Sequence, residues 1–172
     1  GLFGARLMAE AGTLPKETLV VSVEASPVIP GVAQGEGPVI RTGDAAYTFD
    51  ADAEQVLNVA ADRIRARDRG FRHQRRLMSG GGCEATAFAL FGYRVTGLAF
   101  PLGNHHNATA GIGEPDGGVD AEYIRLSDYL GGAELIVEAA KSVSRRGDSP
   151  VRRRLRSVPG RVRRRLETTA HA

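Results

Sequence analysis

Two segments of this chain combine residue types that could do chemistry. The first, SGGGCEATAF over residues 79–88, runs from three glycines into the carboxylate of Glu84 at the start of a predicted helix. The second, PLGNHHN over residues 101–107, follows a strand-like run and carries two adjacent imidazoles, His105 and His106. In an α/β fold such segments meet at one edge of the sheet, where binding sites are usually built. An acid and a nitrogen ligand at that edge indicate a metal-dependent hydrolase.

A third candidate is Glu24, which ends the β-branched run TLVVSVE of residues 18–24. A carboxylate at the end of a buried strand is costly unless it is hydrated, paired or bound to a metal. Two interpretations of Glu24 stay open, a ligand or catalytic group and an exposed strand-end acid. Glu84 also has two interpretations. It could receive a substrate amino group, or it could be a first-turn helix carboxylate stabilised by the helix dipole.

Adjacent histidines on an extended segment point in different directions, so both rarely bind one metal. If they belong to a site, one histidine is expected to bind a metal and the other to line the pocket. The alternative interpretation is that both are ordinary surface histidines. Cys83 is the one cysteine in 172 residues, which rules out an intramolecular disulfide framework and fits a reducing cytoplasm. With no base beside it, Cys83 is predicted to be a small packing residue.

Charge is segregated along the chain. Residues 145–172 hold ten arginines against two acids, a net +8, and the remaining residues hold 13 Lys and Arg against 18 Asp and Glu, a net −5. An acidic body argues against nucleic acid as its main partner and is compatible with a carboxylate-lined metal site. We predict a boundary between 1–144 and 145–172, with the second part disordered, or, as the alternative, a basic amphipathic helix on an anionic surface. No run approaches the ~20 apolar residues that span a bilayer.

Strand-like and helix-like patterns alternate along residues 1–141. Helices are predicted at 2–10, 50–69 and 84–93, and a further helix is predicted with Ser127 or Asp128 as its cap. Strands are predicted at 18–24, 37–41, 72–78, 97–102 and 122–126, and Gly43-Asp44 is expected to terminate the second of them. This alternation indicates an α/β fold with a largely parallel sheet. The first helix starts at the chain's first residue and looks as though it is entered from an absent strand, so we expect a C-terminal portion of a larger enzyme.

Five segments together resemble one known family. They are GLFGARLMAEAG, VSVEASPVIPGVAQGEGPVIRTGD, SGGGCEATAF, GLAFPLGNHHN and EYIRLSDYLGGAELIVEAAK, and they occur in the order seen in the C-terminal half of the catalytic domain of co-catalytic zinc exopeptidases. The sequence is most similar to the glutamyl, or tetrahedral, aminopeptidase family, over roughly residues 1–141. The resemblance implies a three-layer αβα fold with a mixed, largely parallel sheet, incomplete at its N-terminus.

The resemblance also implies roles for particular residues. Glu24 falls where the family has an aspartate that binds one metal, and His106 falls where it has a histidine that binds the second. The substrate pocket would include Gly82, Cys83, Glu84 and His105. No catalytic residue is expected in this chain, because the general-base Glu and an adjacent ligand Glu would lie immediately before Gly1. Glu24 is one methylene longer than the aspartate of the family, and Cys83 and Glu84 stand where the family has Thr and Asp in a Gly-Gly-Thr-Asp segment.

The activity implied is aminopeptidase chemistry, in which two metal ions activate a bridging water for attack on a peptide carbonyl. Zinc is expected, two ions per complete site, with cobalt or manganese as substitutes. The implied partners are a peptide substrate and, in the intact cytoplasmic protein, further copies of the chain. This chain would supply at most one ligand to each metal, so we expect it to bind zinc poorly and to be inactive alone.

Two other functions remain open from the sequence. One is a degenerate, non-catalytic relative that acts as a binding or oligomerisation module. The other is an adaptor that binds anions through the Arg-rich residues 145–172, which are the one part of the chain where nucleic acid or a membrane surface is expected as a partner.

Overall fold

The computed structural model of this chain describes residues 1–110, 114–145 and 150–170. Six α-helices and five strands lie in these ranges, in the order α1 Phe3–Glu10, β1 Leu19–Pro27, β2 Val39–Gly43, α2 Ala51–Arg67, β3 Gln74–Leu77, α3 Glu84–Ala89, β4 Arg94–Gly103, β5 Tyr123–Ile124, α4 Leu126–Ser142, α5 Pro150–Arg156 and α6 Gly160–Thr169. A 3-10 turn at His105–Asn107 follows β4, and a second one at Val143–Arg145 follows α4.

The five strands form one mixed sheet. Its order is β1-β4-β2-β3, and β5 pairs with the end of β4. β1 is parallel to β4 and β2 is parallel to β3, whereas β2 and β5 both run antiparallel to β4. β4 is therefore the central strand, and from residue 95 to residue 102 all of its residues are buried. The α/β fold with a mixed sheet flanked by helices is the one that the sequence predicted.

Helices cover both faces of the sheet. α2 and α4 pack on one face over a cluster that includes Ile40, Leu57, Ile64, Leu98 and Leu135. α1 and α3 pack on the other face over a second cluster, formed by Ala9, Phe49, Cys83, Ala85, Phe88, Tyr93 and Val95. Alternate residues of each strand point to opposite faces, so one strand supplies side chains to both clusters. The molecule is a three-layer αβα structure.

β1 is longer than its sequence predicts. The pattern ended the strand at Glu24, yet β1 continues to Pro27 because β4 pairs with it in unbroken register as far as Pro27 and Leu102. A proline is tolerated at the last position of a strand. Glu24 consequently lies inside β1, three residues before its end, and not at the strand terminus.

Helix starts were predicted with mixed success. α2 was predicted from Asp50 and begins one residue later, at Ala51, because Asp50 is its cap and accepts a hydrogen bond from the Ala53 amide at 2.6 Å. The predicted cap of α4 by Ser127 or Asp128 is wrong, because the helix begins at Leu126 after Arg125. Asp128 is fully buried in the first turn and accepts hydrogen bonds from the amides of Gly35, at 2.8 Å, and Gly37, at 2.9 Å.

The dense arginines of α2 and the following loop mostly face acids of the same molecule. Arg63 and Arg67 of α2 donate to Glu138 of α4 at 2.6 and 3.1 Å. Arg75 of β3 forms a bidentate ion pair with the buried Glu54, with N···O distances of 2.5 and 2.9 Å. This surface is therefore a solvated one in which ion pairs between α2, α4 and β3 hold several of the arginines.

Two features concern residues 150–170 and the membrane. The described residues 150–170 include the helices α5 and α6, and the boundary between 1–144 and 145–172, with disorder in the second part, stays a prediction. Within the described ranges, no helix has both the length and the apolar character needed to cross a membrane.

Candidate functional site

A cavity of about 290 Å³ opens beside the second halves of β1 and β4. Its lining comes from β1, from β2, from the glycine loop that precedes α3, and from the turn that follows β4. The residues that line it are Glu24, Ala25, Ser26, Pro27, Ile29, Arg41, Met78, Gly80, Gly81, Gly82, His105 and His106. The fold thus brings together Glu24, Gly82, His105 and His106, four residues that the sequence singled out from positions up to 82 residues apart.

Glu24 projects from β1 toward β2 and forms an ion pair with the guanidinium of Arg41. Its Oε1 atom also accepts a hydrogen bond from Ser26 Oγ at 2.7 Å. The side chain of Glu24 is 26% exposed, whereas that of Arg41 is only 3% exposed. A buried charge requires a partner, so Arg41 and Glu24 hold each other in the wall of the cavity.

His105 and His106 lie in the turn after β4, where the backbone is unusual. Asn104, His106 and Asn107 all have left-handed φ values, of 51°, 59° and 62°. Asparagine and histidine adopt this conformation more often than most residues other than glycine, and residues held in it cluster at functional sites. The His106 amide donates to Glu122 Oε1 at 2.8 Å, which holds the turn in place.

The two imidazole rings touch edge to face, with centroids 4.0 Å apart. Burial lowers the pKa of His105, and the neighbouring His106 lowers it further, against the opposing charge of Glu122. His105 is therefore biased toward the neutral form, in which one ring nitrogen can accept a hydrogen bond or bind a metal.

The glycine loop is held by Asp44, a buried residue just after β2. Asp44 Oδ1 accepts from the amides of Ala46 and Tyr47 at 2.9 and 3.0 Å, and Oδ2 accepts from the Cys83 amide at 3.0 Å and from Thr86 Oγ1. Burial by itself would raise the pKa of Asp44, but these hydrogen bonds outweigh it and lower the pKa. Asp44 thereby positions the start of α3 and the loop along the cavity.

Cys83 and Glu84, which the sequence placed in the same pocket, are not among the residues that line this cavity. Cys83 is buried in the apolar cluster under α1 and α3, as a packing residue would be. Glu84 opens α3 and accepts a hydrogen bond of 3.5 Å from Ser22 of β1. Their role in substrate binding remains a prediction.

The side chains that line the cavity include the carboxylate of Glu24 and the imidazoles of His105 and His106. Within the described part of the chain, no three His, Cys, Asp or Glu residues lie close enough together to hold a metal ion. Zinc sites in proteins use at least three protein ligands. In addition, Arg41 already supplies a positive charge beside Glu24. By themselves these residues do not fit a metal ion.

Sequence reasoning missed two charged residues at this site, Arg41 and Asp44, and a third, Asp128, that holds the loop before β2. Arg41 is a charged residue in an otherwise apolar strand, which was the available signal for a functional or paired role. Asp44 was read as the residue that ends β2, and Asp128 as a helix cap. Arg41 and Asp128 meet partners from other elements, and Asp44 joins the local amides of Ala46 and Tyr47 to Cys83 and Thr86 about forty residues later, so local pattern could not identify these long-range contacts.

Solved structures of archaeal aminopeptidases share this fold. The TET1 peptidase of Pyrococcus horikoshii is 22% identical over 81% of this chain, with a TM-score of 0.59. A TET aminopeptidase from a marine sediment archaeon of the Thaumarchaeota is 21% identical over 80% of the chain, also with a TM-score of 0.59. An aminopeptidase from Desulfurococcus kamchatkensis is 25% identical over 81% of the chain, with a TM-score of 0.54.

The match covers only part of those proteins, since this chain spans 36% to 37% of the length of the three solved chains. No protein-family model and no curated protein sequence matches the chain. The resemblance to tetrahedral aminopeptidases that the sequence predicted is confirmed at the level of the fold: this chain has the α/β fold of part of a TET aminopeptidase.

Proposed function

We propose that this chain is part of the catalytic domain of a metal-dependent aminopeptidase, an enzyme that removes N-terminal residues from peptides. One observation carries the proposal: Glu24 of β1 and His106 after β4 line the same cavity. These are the two side chains that the family resemblance assigns to metals. The fold shared with archaeal aminopeptidases supports the same function.

The donor set in the cavity is incomplete, so the proposal requires ligands from outside this chain. Glu24 would contribute a carboxylate oxygen and His106 an imidazole nitrogen to a site for two zinc ions, with cobalt or manganese as substitutes. The general-base Glu and the remaining ligands would come from a part of the catalytic domain that precedes Gly1. The 172 residues alone are then expected to bind zinc poorly and to hydrolyse no peptide.

The outer edge of β1 supports a larger domain. Within the described ranges β1 pairs only with β4, so the other edge of this nine-residue strand carries no partner. A groove of about 450 Å³ runs beside that edge between α2 and α4, lined by the apolar side chains of Leu19, Val21, Val23, Val56, Leu57, Ile136, Ala139, Ala140 and Val143. An open edge next to an apolar groove is a place where a further strand packs.

Homo-oligomerisation is inferred from the assemblies of solved structures that this chain resembles. A related TET1 structure is described as a dodecamer, and the Pyrococcus horikoshii TET1 peptidase can assemble into a tetrahedron or an octahedral shell. We extend homo-oligomerisation to the intact form of this protein. The lone cysteine, Cys83, is reduced and buried, which is compatible with a cytoplasmic enzyme.

A non-catalytic relative is the second candidate, and the Glu24–Arg41 pair favours it. The guanidinium neutralises the carboxylate that a metal would otherwise use. In such a protein the cavity would serve binding or assembly and the aminopeptidase chemistry would be lost.

The test compares the 172-residue chain with the product of the complete open reading frame that encodes it. The complete product is expected to bind zinc and to release N-terminal residues from peptides in a chelator-sensitive reaction, while the 172-residue chain does neither. In the complete product, Glu24→Gln and His106→Gln should each lower the bound zinc at least tenfold. Glu17→Gln, at an exposed acid remote from the cavity, is the matched control.

Two results would overturn the proposal. Chelator-sensitive turnover by the 172-residue chain would show that the site is not completed elsewhere. A complete product without metal-dependent hydrolysis would remove the aminopeptidase function and leave the non-catalytic binding module.

A further inference from the structure

The C-terminal helices carry exposed apolar side chains, here called the apolar stripe: Leu155 in α5, Val158 in the link before Pro159, and Val162 and Leu166 in α6. Val162 and Leu166 are four residues apart and lie on one face of α6. The exposed fractions of the four side chains are 72%, 43%, 40% and 60% in that order. Every residue from 153 to 170 is exposed, so this stripe faces solvent.

Arginines surround the stripe. Residues 153–169 contain seven arginines and one acid, Glu167, a net charge of +6. At about 100° per residue, Arg163 and Arg165 lie on opposite sides of the Val162–Leu166 face, each about 80° from its centre. The ion pair seen in this segment among the described residues joins Arg163 to Glu167 at 3.9 Å, with both side chains more than half exposed. Such a pair neutralises little of the charge.

The apolar stripe and the arginines beside it together favour one class of anionic partner, a bilayer surface, over nucleic acid. A nucleic acid would bind the arginines through its phosphates, but it would leave the leucine and valine side chains exposed. The surface of an anionic bilayer satisfies both sets of groups, because acyl chains receive the apolar stripe while phosphate head groups pair with the flanking guanidinium groups. A helix with low net hydrophobicity, a narrow apolar face and an Arg-rich polar face is typical of helices that lie in a membrane interface.

We propose that residues 153–170 form a membrane-surface anchor that binds bilayers rich in anionic phospholipid. The Leu155, Val158, Val162 and Leu166 side chains enter the head-group boundary, and the arginines on both sides hold the head groups. The anchor rests on α5 and α6 alone and is independent of the aminopeptidase proposal, so either can fail without the other.

The experiment measures sedimentation of the 172-residue chain with vesicles. Vesicles of phosphatidylcholine with about one third phosphatidylserine should pull the protein down, and vesicles of phosphatidylcholine alone should not. Binding should weaken at least tenfold between low and high salt, because head-group attraction is screened. Equal binding to both kinds of vesicle would overturn the proposal.

Three variants separate the two parts of the anchor. Val162→Ser with Leu166→Ser should weaken binding to anionic vesicles at least tenfold, since two apolar side chains no longer leave water. Arg163→Gln with Arg165→Gln should weaken it roughly thirtyfold. The control is Val119→Ser with Leu126→Ser, which removes two apolar side chains of the body that are 90% and 70% exposed and should leave binding unchanged.

The stripe variant decides between a bilayer and a purely electrostatic partner. If Val162→Ser with Leu166→Ser binds anionic vesicles as well as the unchanged chain, the apolar stripe plays no part and the membrane anchor is wrong. Preferential binding of duplex DNA in competition with the vesicles would overturn it in favour of nucleic acid. Circular dichroism of each variant shows whether its helix content is unchanged.

Discussion

The guanidinium of Arg41 lies against the carboxylate of Glu24 in the wall of the cavity that both residues line. The two side chains come from β1 and β2, which are not neighbours in the sheet because β4 runs between them. Arg41 reaches its partner across Gly97 of β4, where a Cβ atom would lie 3.2 Å from Arg41 Cδ. The pair therefore depends on a strand that is more than fifty residues away in the sequence.

Removing the two partners of this pair should have unequal effects. Glu24→Gln leaves a guanidinium that is almost wholly buried without its counter-ion, and we expect a loss of about 3 kcal/mol in the free energy of unfolding. Arg41→Met leaves a carboxylate that is partly hydrated, and the expected loss is about 1 to 2 kcal/mol. Denaturant unfolding of both single variants and of the double variant measures the two costs and the coupling. A larger loss from Arg41→Met would contradict the asymmetry.

Asp44 should dominate the stability of the glycine loop. Asp44→Asn puts an NH₂ group against at least one backbone amide that now donates to the carboxylate, and we expect a loss of about 3 kcal/mol in the free energy of unfolding. Thr86→Val removes one of the four donors and should cost about 1 kcal/mol. Urea unfolding at neutral pH measures both values. Equal effects of the two variants would show that the carboxylate itself contributes little.

Asp44 also makes the free energy of unfolding depend on pH, and its lowered pKa decides the direction of that dependence. The pKa of Asp44 is lower in the folded than in the unfolded chain, so its contribution to stability is complete above the unfolded value of about 4 and is lost as the pH falls through the lower folded value. The difference in stability between the unchanged protein and Asp44→Asn should therefore shrink as the pH falls below about 4. Unfolding curves at a series of acidic pH values check this, and a difference that grows on acidification would contradict it.

Two glycines in the loop before β2 form a matched pair for mutation. Gly35 and Gly37 both have positive φ, of 86° and 88°, and both donate their amides to Asp128. A Cβ atom at Gly37 would overlap the Arg72 carbonyl, whereas one at Gly35 meets nothing within 4 Å. Gly35→Ala should cost about 1 to 2 kcal/mol of unfolding free energy from backbone strain, and Gly37→Ala about 3 kcal/mol or more from strain and overlap. Thermal or denaturant unfolding distinguishes them, and similar losses would contradict the packing at Gly37.

The open edge of β1 should make the 172-residue chain self-associate. Val23 lines the apolar groove beside that edge and is 46% exposed. Val23→Lys places a charge on the edge strand and should increase the monomer fraction in sedimentation velocity experiments. Val119→Lys, at a valine that is 90% exposed and remote from the groove, is the control and should not change the distribution. The same distribution for both variants would show that the edge is not the site of association.

Short-range patterns allowed much of the fold to be predicted. The apolar spacing of α2 and the β-branched run of β1 are properties of neighbouring residues, and both elements form at the predicted places, although β1 continues three residues beyond its predicted end. The order of five motifs indicated the family resemblance, and the fold of the solved aminopeptidases agrees with it. The candidate residues Glu24, His105 and His106 were also identified from the sequence, because each follows or interrupts an apolar run.

The remaining features depend on contacts between distant residues. Asp128 looked like a helix cap, yet it is buried against the amides of Gly35 and Gly37, 93 and 91 residues earlier in the chain. The sequence offered no reason for β4 to lie between β1 and β2, or for β2 to run antiparallel to it. Burial turned Arg41 and Asp44 from ordinary charged residues into obligatory partners, since a charge removed from water must be paired or hydrogen-bonded. Residue types and local spacing determined the elements and the candidate groups, and only the tertiary structure decided which charges meet and which side chains share the cavity.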